Sequence, residues 1–193
     1  MFALAIGFLA LLAYGLMSKG TDDRIDEALA SGRAAKPPSF TLEVLHPGEL
    51  PATLDRRVGS ALADDRLSLA ELRGVPVVLN MWASWCTPCK AEAEELQAGW
   101  RSQGPRGMLF LGLDIQDVRD QAEKFIRDEG TTYPSVREPE RDVSDDFGAT
   151  GIPETYFIDK RGLVVAHARG PVTAEALRAG MRAAATGQVT LIR

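Results

Sequence analysis

The feature that most constrains this chain is Trp85-Cys86-Thr87-Pro88-Cys89, set just after an apolar run, VPVVLNMW, from Val75 to Trp82. A β-branched apolar run of this length reads as a strand buried on both faces, the habit of parallel sheets covered by helices. Thr87 to Arg101 reads as a helix, with Leu96 and Trp100 at i, i+4 and Pro88 tolerated in its first turn. The two cysteines therefore fall at a strand-to-helix junction. There Cys86 sits at or beside the N-cap, where unpaired N–H groups and the helix dipole favour an anion, hence a thiolate. Cys86 is read as the attacking thiolate. Cys89, one turn in and more covered, is read as the thiol that attacks the mixed disulfide and releases the reduced partner.

These are the chain's only two cysteines, so no second pair exists for a structural disulfide. A structural zinc site needs four ligands, and His46 and His167, the only histidines, lack ligand spacing. Covalent haem attachment needs a His directly after the second Cys, and position 90 is Lys. A copper-carrying role using both thiols and His167 is chemically allowed, although a lone His in a hairpin strand is more often an ordinary strand residue. Two inert buried thiols fit poorly with the flanking Trp85 and Pro88. A peroxidase motif, P-x-x-x-T-x-x-C, would place Pro and Thr where this chain has Leu79 and Ala83.

With 193 residues, 45% apolar and 25% charged, the chain has enough for one core and a few tens of residues beside it. The balance of 22 basic against 27 acidic side chains, a formal charge of −5, argues against a nucleic-acid partner.

Phe2 to Met17 carries no charge and reads as membrane-directed. As a helix it would span roughly 24 Å, short of the ~30 Å hydrocarbon core. That suits a thin-bilayer anchor or the core of a signal peptide; the absence of a small-x-small site after it favours an uncleaved anchor over residues 1–18. Lys19, Arg24, Arg33 and Lys36 follow the run with no basic residue before it, which taken literally puts the domain in the cytoplasm. The thiol chemistry argues for the opposite side, because a tethered dithiol reductant is useful where disulfides persist. Residues 19–38 read as a tether with a short helix around Ile25 to Ala30, and 39–193 as the folded domain.

Within that domain SFTLEVL alternates as a strand, HPGELPATLDRRVG reads as an irregular turn-rich excursion, and RLSLAELRG as a short strand and helical turn stopped at Gly74. Gly107 to Ile115 is a second buried strand. Asp117 to Glu129 and Val143 to Phe147 are helices, ETYFID and GLVVAHA a hairpin, and Thr173 to Thr186 a closing helix capped by Thr173. The core order is β-α-β-α-β-β-α.

VVLNMWASWCTPCKAEAEEL resembles the active-site segment of the membrane-anchored, extracytoplasmic thioredoxin-like reductases, the TlpA/ResA/DsbE (CcmG) group. The resemblance runs through Arg73-Gly74, Tyr133-Pro134, GIPETYFIDKRG and GPVT, roughly Pro38 to Ala185, and GIPET with HARGPVT looks closest to the cytochrome c maturation branch. The long excursion from His46 to Gly59 and the Thr87-Pro88 dipeptide depart from the usual pattern.

The resemblance implies a thioredoxin-like α/β fold, a mixed sheet flanked by helices behind an N-terminal anchor helix. It implies a cis peptide bond at Pro153, with the backbone of Ile152 free to pair with an extended substrate peptide near Cys86. Glu92 matches an acidic residue placed to shuttle the Cys89 proton, the alternative being a solvated helix-face carboxylate. Glu154 matches the acidic position of the maturation branch, and Asn80 stands where many thioredoxins carry a buried Asp. Trp85 is expected to shield the disulfide, Trp82 and Trp100 to pack. The implied partners are a disulfide-containing protein, apocytochrome c above all, and a membrane thiol donor; the redox-active Cys86–Cys89 pair needs no other cofactor.

Overall fold

The computed structural model describes residues 23–192. In chain order its elements are α1 (Arg24–Ala30), β1 (Thr41–His46), α2 (Ala52–Ala63), β2 (Arg66–Ser68), β3 (Val77–Trp82), α3 (Thr87–Gln103), β4 (Leu109–Ile115), α4 (Arg119–Asp128), β5 (Ser135–Glu138), α5 (Asp142–Asp146), β6 (Glu154–Ile158), β7 (Val164–Arg169) and α6 (Ala174–Thr186). The strands form one sheet ordered β2-β1-β5-β4-β3-β6-β7. β4 runs parallel to β3 and β5, and the remaining pairings are antiparallel. Every residue of β3 and β4 is buried, as central strands with helices on both faces must be.

Register decides which side chains can meet. Asn80 pairs with Gly112 on β4 and Thr155 on β6, while its neighbour Met81 pairs with Glu154. Side chains alternate along a strand, so Asn80 and Thr155 face one side of the sheet and Met81 and Glu154 the other. Helices α3 and α6 cover the Asn80 face. They approach so closely that a Cβ on Gly180 of α6 would stand 2.3 Å from the Phe157 ring. The Glu154 face is covered by α1 and by Phe147 after α5, whose ring meets Tyr156 edge-on at 5.0 Å.

Three expectations need correction. The stretch read as an irregular excursion contains α2, which buries Leu54, Val58, Ala61 and Leu62 on one stripe. Strand β5 went unread, since its four residues, SVRE, are mostly polar; its two neighbours supply the pairing that makes it a strand. Residues 24–38 are no free tether: Ile25, Leu29 and Ala35 are buried in the main core, and Ala35 bridges to Val164. The apolar run Phe2 to Met17 lies outside the described residues, among which no helix is long and apolar enough to cross a membrane.

Candidate active site

Strand β3 delivers Cys86 to the start of α3, where it is the N-cap residue. Its Sγ is bonded to that of Cys89, the Cα atoms 5.3 Å apart, and accepts the backbone N–H of Cys89 at 3.1 Å. Both cysteines are buried, so burial does not separate their roles. Position does: the N–H aimed at the Cys86 sulfur and the helix dipole stabilise negative charge there when the bond opens.

The sulfurs sit in a small apolar cluster with Leu45, Trp82, Ala83, Ala122, Phe125 and Ile126, against which Ile152 packs. Trp82 stacks on Phe125 with ring centroids 4.6 Å apart. Trp85, expected over the disulfide, is 59% exposed, and its indole N–H donates to the Gln116 carbonyl at 3.2 Å. The Ile152–Pro153 bond is cis, and the Pro153 carbonyl accepts the Gly170 N–H at 2.9 Å.

Glu92 is not a solvated helix-face residue. It lies three positions after Cys89 on α3, hence on the same helix face, and is 2% exposed. Asn80 Nδ2 donates to one carboxyl oxygen at 2.8 Å and the Val172 N–H to the other at 2.7 Å. Burial outweighs these bonds and pushes its pKa up to about 7. That is the range of a group able to take and return a thiol proton near neutrality.

Glu154 lies on the opposite face of the sheet from Asn80 and Glu92, so the two carboxylates do not form one coupled pair. Glu154 accepts from the Thr150 N–H (2.8 Å), the Thr150 hydroxyl (3.0 Å), the Gly151 N–H (3.1 Å) and the Tyr156 hydroxyl (3.1 Å), and meets His167 Nε2 at 2.9 Å. Burial works against its charge, but the bonds from His167 and Thr150 prevail and hold its pKa below the usual carboxylate value. It braces the segment before Pro153. Glu154→Gln should therefore leave the pH profile of alkylation of the reduced cysteines unchanged; a displaced profile would return Glu154 to the thiol chemistry.

Two further carboxylates escaped the sequence reading. Asp117 accepts from the Ser84 N–H and, at 2.8 Å, from its hydroxyl, tying down the turn before Cys86. Asp114, the register partner of Trp82, is fully buried with Arg137 Nε 4.0 Å from its Oδ2, beyond hydrogen-bond reach; burial and then Asp117 outweigh that guanidinium and push its pKa up to about 8. Only a weak sequence signal existed for either, an Asp just inside or after an apolar strand. The Cys86, Cys89 and His167 trio considered for copper is not assembled: both His167 nitrogens face carboxylates, and no group of three or more candidate ligands gathers among the described residues.

A mixed sheet, a disulfide at the N-terminus of the helix after a central strand, and a cis Ile152–Pro153 bond whose isoleucine packs against the cysteine cluster define a thioredoxin-like thiol:disulfide oxidoreductase. The chain belongs to the AhpC/TSA family, whose profile matches residues 36–167. It is 31% identical over 163 residues to the thiol:disulfide interchange protein DsbE of Xylella fastidiosa, covering 84% of this chain and 72% of that one. HelX of Rhodobacter capsulatus, also a thiol:disulfide interchange protein, is 29% identical over 146 residues, 72% of this chain and 81% of its own. Among solved structures, a DsbF homologue from Corynebacterium diphtheriae superposes with a TM-score of 0.62 at 27% identity, covering 78% of this chain and 87% of its own.

Proposed function

We propose that this enzyme reduces the cysteines of apocytochrome c before haem attachment, working on the extracytoplasmic side of the cell membrane from an anchor at residues 1–18. The observation that carries the reading is the likeness to DsbE over 163 residues, together with the GIPET segment, whose Ile152 packs against the cysteine cluster, and the HARGPVT segment, whose Val172 N–H bonds Glu92. The Cys86 thiolate attacks one sulfur of the substrate disulfide, expelling the other as a thiolate and forming a mixed disulfide. The Cys89 thiolate then attacks the Cys86 sulfur, releasing the second substrate thiolate and closing the Cys86–Cys89 bond. Two electrons pass to the substrate, and a membrane dithiol donor must return them.

Asp23 lies 3.9 Å from Arg169, at the end of the sheet that carries Cys86, so the described chain enters on the disulfide's side. The test pairs the reduced full-length protein with an oxidised Cys-x-x-Cys-His peptide and with an unrelated disulfide of the same loop size. Faster reduction of the first supports the reading, and equal rates leave a general envelope reductase. A reporter fused after Arg193 should be active only outside the cytoplasm; activity only inside would overturn the location and uphold the basic residues after the apolar run.

A further inference from the structure

His167 has no part in the exchange chemistry, yet both its ring nitrogens are engaged. Nδ1 lies 2.8 Å from Asp26 Oδ1 and Nε2 lies 2.9 Å from Glu154 Oε2, and the ring stacks on Tyr156 with centroids 4.0 Å apart. Ionised carboxylates only accept, so both bonds are made when each nitrogen carries its hydrogen. The other Asp26 oxygen is paired with Arg169, and Asp23 flanks the same guanidinium. The other Glu154 oxygen takes the N–H groups of Thr150 and Gly151.

A continuous hydrogen-bonded chain thus runs from α1 through His167 and Glu154 to the backbone just before Ile152, and Ile152 packs against the cysteine cluster. Its first link comes from a segment 141 residues away in sequence, docked by the buried Ile25 and Leu29. Removing the imidazole would leave Glu154 buried with one acceptor bond lost, and the loop it braces free to shift.

We propose that His167 is a positioning residue for thiol–disulfide exchange, fixing the Thr150–Pro153 segment against which peptide disulfides dock and making that docking depend on Asp26 in α1. The proposal rests on the oxidoreductase activity of the family and is independent of the cytochrome c reading. Docking of an extended peptide needs the backbone beside the disulfide in one conformation, whereas a small aromatic disulfide needs only the thiolate. The two substrates therefore separate positioning from chemistry.

The experiment measures full-length His167→Leu, His167→Gln and Asp26→Asn against a peptide disulfide and a small aromatic disulfide. For His167→Leu the peptide KM should rise roughly ten-fold, with kcat and the small-disulfide rate within about two-fold of the parent. His167→Gln, whose amide can still donate to Glu154, should recover part of the loss, and Asp26→Asn should show a smaller KM rise of the same kind. Parallel loss on both substrates, or no change on either, overturns the proposal. Should His167→Leu fail to fold, Asp26→Asn decides by the same comparison, because its side chain lies at the domain surface, 36% exposed.

Discussion

Cys89→Ser should turn the reduced protein into a covalent trap. With Cys86 at the N-cap of α3 and the Cys89 N–H directed at its sulfur, attack on a substrate disulfide begins at Cys86, and without a second thiol the mixed disulfide persists. Serine at position 89 keeps the backbone N–H that stabilises the Cys86 thiolate, so the first step stays near the parent rate. Cys86→Ser removes the nucleophile from the helix terminus and should lower turnover by at least ~10³-fold. Incubation of each variant with a peptide disulfide, followed by mass mapping of the adduct, checks the order. An adduct that accumulates only in Cys86→Ser would mean the helix terminus does not select the attacking sulfur.

What the sequence disclosed and what it hid divide along contact distance. The strand at Val77–Trp82, the cysteines at a helix start and the cap at Thr173 are local, written in apolar runs and in residue types that suit a helix N-terminus. Helix α2 was local too, but Pro47, Gly48 and Pro51 ahead of it and Gly59 within it masked an apolar stripe at 54, 58, 61 and 62. Strand β5 has little strand character of its own and exists because β1 and β4 flank it. The environments of the two glutamates depend on register, a one-residue difference between Asn80–Thr155 and Met81–Glu154 that sends them to opposite faces. No spacing rule reaches from Asp26 to His167, or from Glu92 to the Val172 N–H 80 residues on.

Glu92→Gln should change both the stability and the speed of the protein in a way that depends on pH. The folded carboxyl has its pKa raised by burial to about 7, from an ordinary value of 4.5, so between those two values the folded state binds more protons than the unfolded chain. Stability therefore falls as pH rises through that window and levels off above it. The cost of the buried charge at pH 8 is on the order of 3 kcal/mol. Glutamine removes the charge but turns an amide N–H₂ toward the Asn80 or Val172 donor, offsetting about 1 kcal/mol of the gain. Urea titrations of the oxidised protein should thus show a variant more stable than the parent at pH 8, with the advantage gone by pH 5. In the reduced enzyme we expect the ionised carboxylate, on the same helix face as Cys89, to take the thiol proton as the mixed disulfide resolves. Release of the second substrate thiolate should accelerate in the parent as pH rises through about 7, and Glu92→Gln should lose that limb and run ~10²-fold slower at pH 8. Glu123→Gln, on the far side of α4 in a surface pair with Arg119, should behave as the parent. Asp114→Asn discriminates the remaining candidate: if the limb survives in Glu92→Gln and vanishes in Asp114→Asn, the proton leaves through the buried Asp114 carboxyl, the register partner of Trp82, and Glu92 only ties α3 to Asn80 and the Val172 loop.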